Sequence, residues 1–451
     1  MPVVNPYLVG NYAPVTTEET VTDLPVSGTL PSVLRGRYLR NGPNPLAPPE
    51  PSTYHWFTGE GMVHGIRLEE GRAAWYRNRW VRSADVATAL GEQPHPGPVV
   101  DGMDFAANTN VIAHAGRTYA IVEAGARPYE LTAELETVGA SDFQGTLPGG
   151  YTAHPKRDPQ TGELHAISYY WGWGNQVQYT VVGADGRVRR VVDIPVGGLV
   201  SVHDMSLTTR YAVIYDLPVV FSAEALMEGF AFPYRWSDDY PSRVGLLPLE
   251  GGADDVTWCD VEPCYVFHPM NAYDEDGSVV VDLVRHPKMF ASHLNGPDEG
   301  PPVLERWHID PIAAKVTTEV VDDRPQEFPR VDERVVGRTH RFGYSAALRD
   351  RQQDEVGFDV GSDLLKHDLK AGTTEARHVR GGAGEAVFVP ENATAAEDDG
   401  YVLSLVYDNE RDASDLLVLH AQDFTGEPVA VVHLPVRVPF GFHGNWAPDG
   451  T

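Results

Sequence analysis

The chain is poor in cysteine and in basic residues, and each shortage excludes a class of protein. Only two cysteines occur among the 451 residues, Cys259 and Cys264, so a scaffold held together by several disulfides is excluded. Lysine and arginine total 35 against 64 aspartate and glutamate residues, which gives a net charge of −29. A polyanion repels phosphate backbones, so nucleic acid is not an expected partner.

Long apolar runs are also missing. No stretch approaches the roughly 18 apolar residues of a membrane-spanning helix. The longest candidate, "YAVIYDLPVVF" (211–221), is interrupted by Asp216 and Pro218. The first residues, "MPVVNPYLVGNYAPV", have neither the basic nor the apolar segment of a secretory signal. We therefore expect a cytoplasmic protein whose contact with membranes, if any, is peripheral.

Convincing helices are few, and short β-branched and aromatic runs dominate, among them "RTYAIVEA" (117–124), "SVVVDLV" (278–284) and "YVLSLVYD" (401–408). Asp-Gly turns separate many of these runs, as in "DEDGSV" (274–279). The best helix candidate is "SAEALMEGF" (222–230). Without a flexible linker or a composition break, we expect one all-β domain over 1–451. A sandwich array, a barrel and a propeller all fit, because no clean repeat decides between them.

Four of the 17 histidines stand in turn-rich settings between apolar residues and Pro, Gly or Asp: His154 in "YTAHPK", His203 in "LVSVHDMS", His268 in "YVFHPMNA" and His443 in "FGFHGNW". Their wide spacing matches no local metal motif, so spacing alone favours hydrogen-bonded structural histidines. A metal site is the chemical alternative, because imidazole suits Zn, Cu, Fe and Ni. Metal-bound histidines usually donate their second ring N–H to a carboxylate or carbonyl, and candidate carboxylates in apolar surroundings are Glu123, Glu327 and Glu385.

Several longer stretches occur in a specific order and combination, including "GRYLRNGPNP" (36–45), "HWFTGEGMVHG" (55–65), "YTAHPKRDPQTGEL" (151–164), "QEFPRVDE" (326–333) and "VPFGFHGNW" (438–446). Through these stretches the sequence resembles the carotenoid cleavage oxygenase family along nearly its whole length. It looks most similar to the actinobacterial, carotenoid-cleaving branch of that family.

The resemblance implies a seven-bladed β-propeller with loops that cap the active site and one non-haem Fe(II) per subunit on the propeller axis. The implied iron ligands are His154, His203, His268 and His443. Glu123, Glu327 and Glu385 are expected to orient His203, His268 and His443 respectively, which leaves His154 without a carboxylate partner. Thr109 falls where the family places a small side chain beside an open iron position. The resemblance also explains a specific histidine near the end of the chain, since His443 would complete both the ring and the iron site.

The implied reaction is cleavage of a C=C bond of a carotenoid or apocarotenoid by O₂, which gives aldehyde or ketone products. The expected partners are therefore a hydrophobic small molecule and O₂. Candidate substrate-lining residues are Phe57, Val122, Trp171, Trp173 and Phe267. Two alternatives stay open: the same iron chemistry on a stilbene or other phenylpropenoid, and a metal-free propeller that acts as a binding scaffold. In the stilbene-cleaving branch a lysine stands where this chain has Val122.

A carotenoid substrate would come from a membrane, so an apolar entry patch is expected. The stretch "PVVFSAEALMEGFAFPYRW" (218–236) carries the candidates Phe221, Leu226, Met227, Phe230 and Phe232. Exposed at the surface, such a cluster would give weak peripheral membrane contact. A helix packed into the core is the alternative for the same residues.

Overall fold

The structure is a computed structural model that describes residues 5–95, 97, 99, 102–105, 107–297, 299–349 and 360–450, and it is almost wholly β. The first strands in chain order are β1 (Thr20–Thr22), β2 (Val26–Gly28), β3 (Gly36–Pro43), β4 (Gly61–Glu69), β5 (Arg72–Trp80), β6 (Asn110–His114), β7 (Arg117–Ile121), β8 (Tyr129–Leu131), β9 (Thr137–Ala140), β10 (Lys156–Arg157), β11 (Leu164–Tyr169), β12 (Gln176–Val182), β13 (Val188–Pro195), β14 (Met205–Leu207), β15 (Tyr211–Asp216), β16 (Val219–Phe221) and β17 (Tyr234–Trp236).

The later strands are β18 (Arg243–Pro248), β19 (Thr257–Asp260), β20 (Pro269–Glu275), β21 (Ser278–Arg285), β22 (Val303–Asp310), β23 (Lys315–Asp322), β24 (Gln326–Arg330), β25 (Phe342–Leu348), β26 (Val360–Asp368), β27 (Thr373–His378), β28 (Gly382–Ala383), β29 (Val387–Pro390), β30 (Gly400–Asp408), β31 (Ala413–His420), β32 (Ala430–His433) and β33 (Gly444–Pro448). The α-helices of the described residues are α1 (Ala84–Ala89) and α2 (Ala223–Met227). Single 3₁₀ turns occupy Pro6–Leu8, Gly10–Tyr12, Trp56–Thr58, Trp171–Trp173, Ala253–Asp255, Glu333–Val335 and Ala421–Asp423. Neither α-helix is long and apolar enough to cross a membrane.

Tight turns join many neighbouring strands into antiparallel hairpins. In the predicted Asp-Gly turn between β20 and β21, Asp276 and Gly277 have φ values of 47° and 87°. Two consecutive residues with positive φ form the type of turn whose twist matches that of the flanking strands. Ala115 and Gly116 connect β6 to β7 in the same way. These local signals explain why the strand content was readable from sequence.

The propeller-like all-β class is confirmed, but the predicted count of seven separate blades is wrong. Five sheets of four to six strands stand apart as blades among the described residues: β1-β5-β4-β3-β33, β6-β7-β8-β9, β10-β11-β12-β13, β24-β25-β26-β27, and β2-β32-β31-β30-β28 with β29 on β30. Eight further strands form one continuous sheet, β14-β15-β18-β19-β23-β22-β21-β20, and β16 pairs with β17 in a two-stranded ribbon. The eight strands merge because Asp260 of β19 pairs with Lys315 of β23, and such an edge-to-edge contact has no sequence signal.

Both ends of the described chain are built into sheets. The last strand, β33, pairs with β3, with Arg40 opposite Gly444. The early strand β2 pairs with β32 near the other end of the sequence. These two pairings fix the segment around His443 against N-terminal strands, so this late segment does not depend on local contacts alone.

Apolar side chains fill the spaces between neighbouring sheets. The largest cluster combines Ile167 and Tyr179 from β11 and β12 with Val213, Leu246 and Val281 from the eight-stranded sheet. All five are almost fully buried. The sheets therefore pack face to face through side chains that alternate along each strand, and their edge strands are left to approach one another.

Candidate metal centre

Four buried histidines meet at one point, carried by three sheets: His203 and His268 stand at the two opposite edges of the eight-stranded sheet, and His154 and His443 belong to two other sheets. Each stands one or two residues before an edge strand: His154 before β10, His203 before β14, His268 before β20 and His443 before β33. One ring nitrogen of each lies within 4.8 Å of those of the others. The four residues singled out by their turn-rich settings are thus brought together, although up to 175 positions separate neighbours in sequence (443 − 268).

Three of the rings are held from behind by the glutamates expected to pair with them. His268 Nδ1 lies 2.6 Å from Glu327 Oε2, and His443 Nδ1 lies 3.0 Å from Glu385 Oε1. His203 Nδ1 lies 2.9 Å from Glu123 Oε2, which is an ion-pair distance, but the two groups are not aligned as a hydrogen bond.

A carboxylate only accepts, so His268 and His443 each donate Nδ1–H and keep the lone pair of Nε2 free. His203 Nε2 and His268 Nε2 are 3.3 Å apart, so these two ring nitrogens face each other across a short gap.

The fourth ring, His154, is arranged differently. Its Nδ1 lies 3.7 Å from Asp204 Oδ2, beyond hydrogen-bond distance, and Lys156 Nζ donates to the same oxygen at 2.8 Å. His154 Nε2 is buried and has no hydrogen-bond partner among the described residues. A buried polar atom without a partner is costly unless something else satisfies it. The converging ring nitrogens and this orphaned one fit a divalent metal ion better than they fit a packed protein core.

The electrostatics of the cluster favour neutral imidazoles at His154 and His443. Burial, reinforced by the neighbouring histidines, holds the pKa of His154 well below its usual range. Burial also lowers the pKa of His443 to about 3, although Glu385 opposes the shift. Burial also disfavours the charged form of His203, but nearby Glu123 outweighs it, so the pKa of His203 is raised.

Two of the glutamates behind the rings, Glu327 and Glu385, stay ionised. Burial raises the pKa of Glu327, but His268 and His286 outweigh it and hold that pKa well below the usual range. In the same way, Arg330 and His443 overcome burial and lower the pKa of Glu385. Each of these two glutamates therefore supplies a fixed negative charge directly behind a ring.

Two residues of this network were not found from sequence. His286, directly after β21, lies with Nε2 2.7 Å from Glu327 Oε1, so Glu327 sits between two histidines. Arg330 Nη1 lies 3.0 Å from Glu385 Oε2. His286 is followed by a proline, as His154 and His268 are, and this His-Pro pair is the one signal that could have found it. Arg330 carries no comparable local signal, because it acts through Glu385, which is distant in sequence.

On one side of the cluster is a cavity of about 400 Å³ whose wall is mainly apolar. Four of the predicted lining residues are in its wall: Phe57, Val122, Trp171 and Phe267. Trp173 is not part of the wall, and it lies instead against Gly149 and Tyr170. Aromatic residues that sequence reasoning missed complete the wall, notably Phe232, Tyr234, Phe328 and Phe442. No lysine or arginine of the described chain lines this cavity.

Thr109 also lines the apolar cavity, next to the cluster. Its hydroxyl group donates to Asn108 Oδ1 at 3.0 Å, and its carbonyl accepts the backbone N–H of His443 at 3.1 Å. Thr109 is therefore tied to the segment that carries the last histidine.

On the opposite side of the cluster lies a second, more polar cavity of about 620 Å³. Its wall includes Lys156, Asp204 and Arg330. His154 faces only this cavity and His203 faces only the apolar one, whereas His268 and His443 border both. The four rings thus stand between an apolar and a polar compartment.

The predicted membrane patch is only partly at the surface. Leu226 and Met227, in α2, are 51% and 82% exposed. Phe221 and Phe230 are half-buried, and Phe221 stacks on Trp171. Phe232 is buried in the wall of the apolar cavity, so it belongs to the candidate site and not to the surface patch.

Comparison with known proteins places the site in context. Residues 12–448 match the family model described as retinal pigment epithelial membrane protein. The chain is 48% identical to a carotenoid cleavage oxygenase of Mycobacterium tuberculosis, with 98% of each chain covered. The fold superposes on a lignostilbene dioxygenase of Pseudomonas brassicacearum with a TM-score of 0.89 and 30% identity, covering 99% of this chain and 100% of the other. It superposes on a cobalt-substituted Synechocystis apocarotenoid oxygenase with a TM-score of 0.85 and 28% identity, covering 96% and 97%.

Proposed function

The chain belongs to the retinal pigment epithelial membrane protein family of carotenoid cleavage oxygenases, and from this premise we propose that it cleaves a C=C bond of a carotenoid or apocarotenoid. The co-substrate is O₂, and the products are aldehydes or ketones. The observation that carries the proposal is the four-histidine cluster at the inner end of an apolar cavity.

We propose that the cluster holds one Fe(II) per subunit through His154, His203, His268 and His443. Its donor set fits such an ion, because it offers four buried nitrogens, two of them on rings hydrogen-bonded from behind by glutamates and a third on a ring in close contact with Glu123. When bound, the iron supplies the O₂ chemistry that no side chain can perform. The histidines and glutamates contribute fixed geometry and charge.

The apolar cavity selects and positions the substrate. Phe57, Phe267 and Phe442 border it close to the histidines and exclude water from the reacting bond. A polyene has no polar handle along its middle, so the shape of the wall decides which double bond reaches the cluster. Thr109 acts by its shape, because its hydroxyl group is committed to Asn108.

The same iron chemistry on a hydroxystilbene is the second candidate, favoured by the TM-score of 0.89 to a lignostilbene dioxygenase. The wall opposes it, because a phenol group near Val122 would meet a side chain without a hydrogen-bonding group. The absence of lysine and arginine from the described lining also leaves a phenolate without a counter-charge. A metal-free binding scaffold would leave the orphaned nitrogen of His154 without a purpose.

We further propose a cytoplasmic protein in weak peripheral contact with lipid. Leu226 and Met227 project from α2, and the chain runs from there into the cavity wall at Phe232 and Tyr234. The exposed acids Glu224 and Glu228 flank the two apolar side chains and limit any attraction to anionic lipid.

The proposed function is tested by incubating the purified, Fe(II)-loaded protein with O₂ and a panel of carotenoids, apocarotenals and stilbenes. The products are identified by mass spectrometry. Carotenoid- or apocarotenoid-derived carbonyl products that disappear after chelation and return with Fe(II), but not with Zn(II), are expected. Cleavage of stilbenes alone would move the assignment to the second candidate. A protein that retains no iron and cleaves nothing would refute both.

A further inference from the structure

Strand β24 belongs to a sheet that contributes none of the four histidines, yet it reaches two of them. Glu327 contacts His268 directly, and Arg330, three residues further along, contacts Glu385 behind His443. On a regular strand, residues three apart point to opposite faces. Here the register with β25 shifts between Glu327 and Arg330, and Phe328 has a φ of 53°. Such a bulge re-aims side chains and is common next to active sites.

Arg330 uses its guanidinium group to tie together the parts that hold His443. Nη1 lies 3.0 Å from Glu385 Oε2 and donates to the Gly444 carbonyl at 3.0 Å. Nη2 donates to Asn445 Oδ1 at 3.0 Å and to Glu333 Oε1 at 2.9 Å. Glu385 Oε2 also accepts the backbone N–H of Gly444 at 2.8 Å. Arginine therefore fixes both the carboxylate behind the ring and the backbone that follows it.

We propose that Arg330 is a positioning residue for the metal site: it acts through Glu385 to hold His443 in the geometry that binds the metal ion. The planar guanidinium group of an arginine can donate to all of these acceptors at once, because it carries several N–H donors in one plane, which a lysine lacks. The proposal rests on the proposed role of the four histidines as metal ligands. It assigns the bulge in β24 a purpose, since the bulge lets one strand serve two histidines of neighbouring sheets.

The test is a titration of the metal-free protein with Co(II), followed by visible absorption, which reports the ligands around the ion independently of turnover. Arg330→Met should weaken Co(II) binding about 10- to 100-fold, the usual cost of losing an outer partner of a ligand. Arg330→Lys should recover part of that loss. Glu333→Gln is the matched control, because it removes a surface partner of Arg330 and leaves Glu385 untouched; it should stay within about twofold of the wild type.

A double-mutant cycle separates positioning from general stability. If Arg330 acts through Glu385, Arg330→Met should add little to Glu385→Gln, because neighbours in one network are not additive. Circular dichroism verifies the fold of each variant, and Arg330→Lys carries the test if the methionine variant does not fold. Unchanged Co(II) affinity and spectrum in both arginine variants, or full additivity with Glu385→Gln, would overturn the proposal. A wild-type protein that binds no Co(II) would instead remove the metal role itself, and this proposal with it.

Discussion

Replacing Glu327 with glutamine should weaken the metal site without abolishing it. Three donors surround the carboxylate: His268 Nδ1 at 2.6 Å and the Phe328 backbone N–H at 2.6 Å both reach Oε2, and His286 Nε2 reaches Oε1 at 2.7 Å. A glutamine has one accepting oxygen and one NH₂ group. Because the Phe328 N–H must keep an acceptor, the amide oxygen should take the Oε2 position. His268 then keeps its hydrogen bond and its orientation.

The amide NH₂ group then faces His286, which must turn its ring nitrogen from donor to acceptor. The variant loses the negative charge behind His268 and one charge-assisted hydrogen bond, which is worth about 1.5–3 kcal/mol. Outer partners of metal ligands typically contribute about 10- to 100-fold in affinity, or about 1.4–2.7 kcal/mol. The two estimates agree, so we expect a 10- to 100-fold loss of Co(II) affinity and a comparable loss of turnover.

The assay combines Co(II) titration of the metal-free protein with iron content and turnover of the loaded enzyme. His286→Gln is the companion variant, because a glutamine there can still donate to Glu327 and leaves the bond to His268 in place. It should cost no more than about threefold in Co(II) affinity. If Glu327→Gln binds Co(II) as tightly as the wild type and turns over at the same rate, the carboxylate does not support His268 and the reasoning fails.

The remaining predictions concern the ligand, the substrate, the surface and stability. His268→Ala should abolish iron binding and activity while circular dichroism stays unchanged; iron at wild-type stoichiometry would remove His268 from the ligand set. A buried polar group without a partner costs about 1–3 kcal/mol, so a hydroxystilbene near Val122 should have a kcat/KM at least about tenfold below that of the best carotenoid or apocarotenoid; efficient stilbene cleavage beside inert carotenoids would contradict this. Replacing both Leu226 and Met227 with serine should lower liposome binding and slow the cleavage of lipid-embedded substrate, but not of a soluble apocarotenal. The control Ile312→Ser, at a side chain that is 95% exposed in another part of the surface, should change neither property. Equal slowing with a soluble apocarotenal would indicate a structural role for Leu226 and Met227. Free Co(II) at 100 times its Kd should stabilise the metal-free protein by about 2.7 kcal/mol, seen as a higher Tm, and an unchanged Tm would mean no specific site.

Sequence reasoning succeeded where the signal is local and failed where it is not. Turns such as Asp276–Gly277 and the settings of the four histidines are readable from a few neighbouring residues. The strand content and the candidate ligands could therefore be predicted. The pairing of each glutamate with its histidine came from the family resemblance, since no local pattern contains it.

The failures all involve contacts between distant segments. The pairing of Asp260 with Lys315 merges two sets of strands into one sheet, and neither segment carries a sequence pattern that predicts this pairing. His286 and Arg330 enter the site only through Glu327 and Glu385. Phe232 lies in the apolar stretch that predicts a surface patch, but the chain turns inward after α2 and places Phe232 in the cavity wall.

The position of the four rings between the two cavities has a consequence for how the site can be dissected. The rings separate the apolar cavity on one side from the more polar cavity on the other. Truncating His268 or His443, which border both cavities, removes a proposed ligand and also opens a connection between the two cavities. Water that enters the apolar cavity through this connection would weaken substrate binding, independently of the lost ligand. Added imidazole can fill the space that an alanine substitution leaves. Its effect on the substrate affinity of the metal-free variant would therefore measure the entry of water separately from the loss of the ligand.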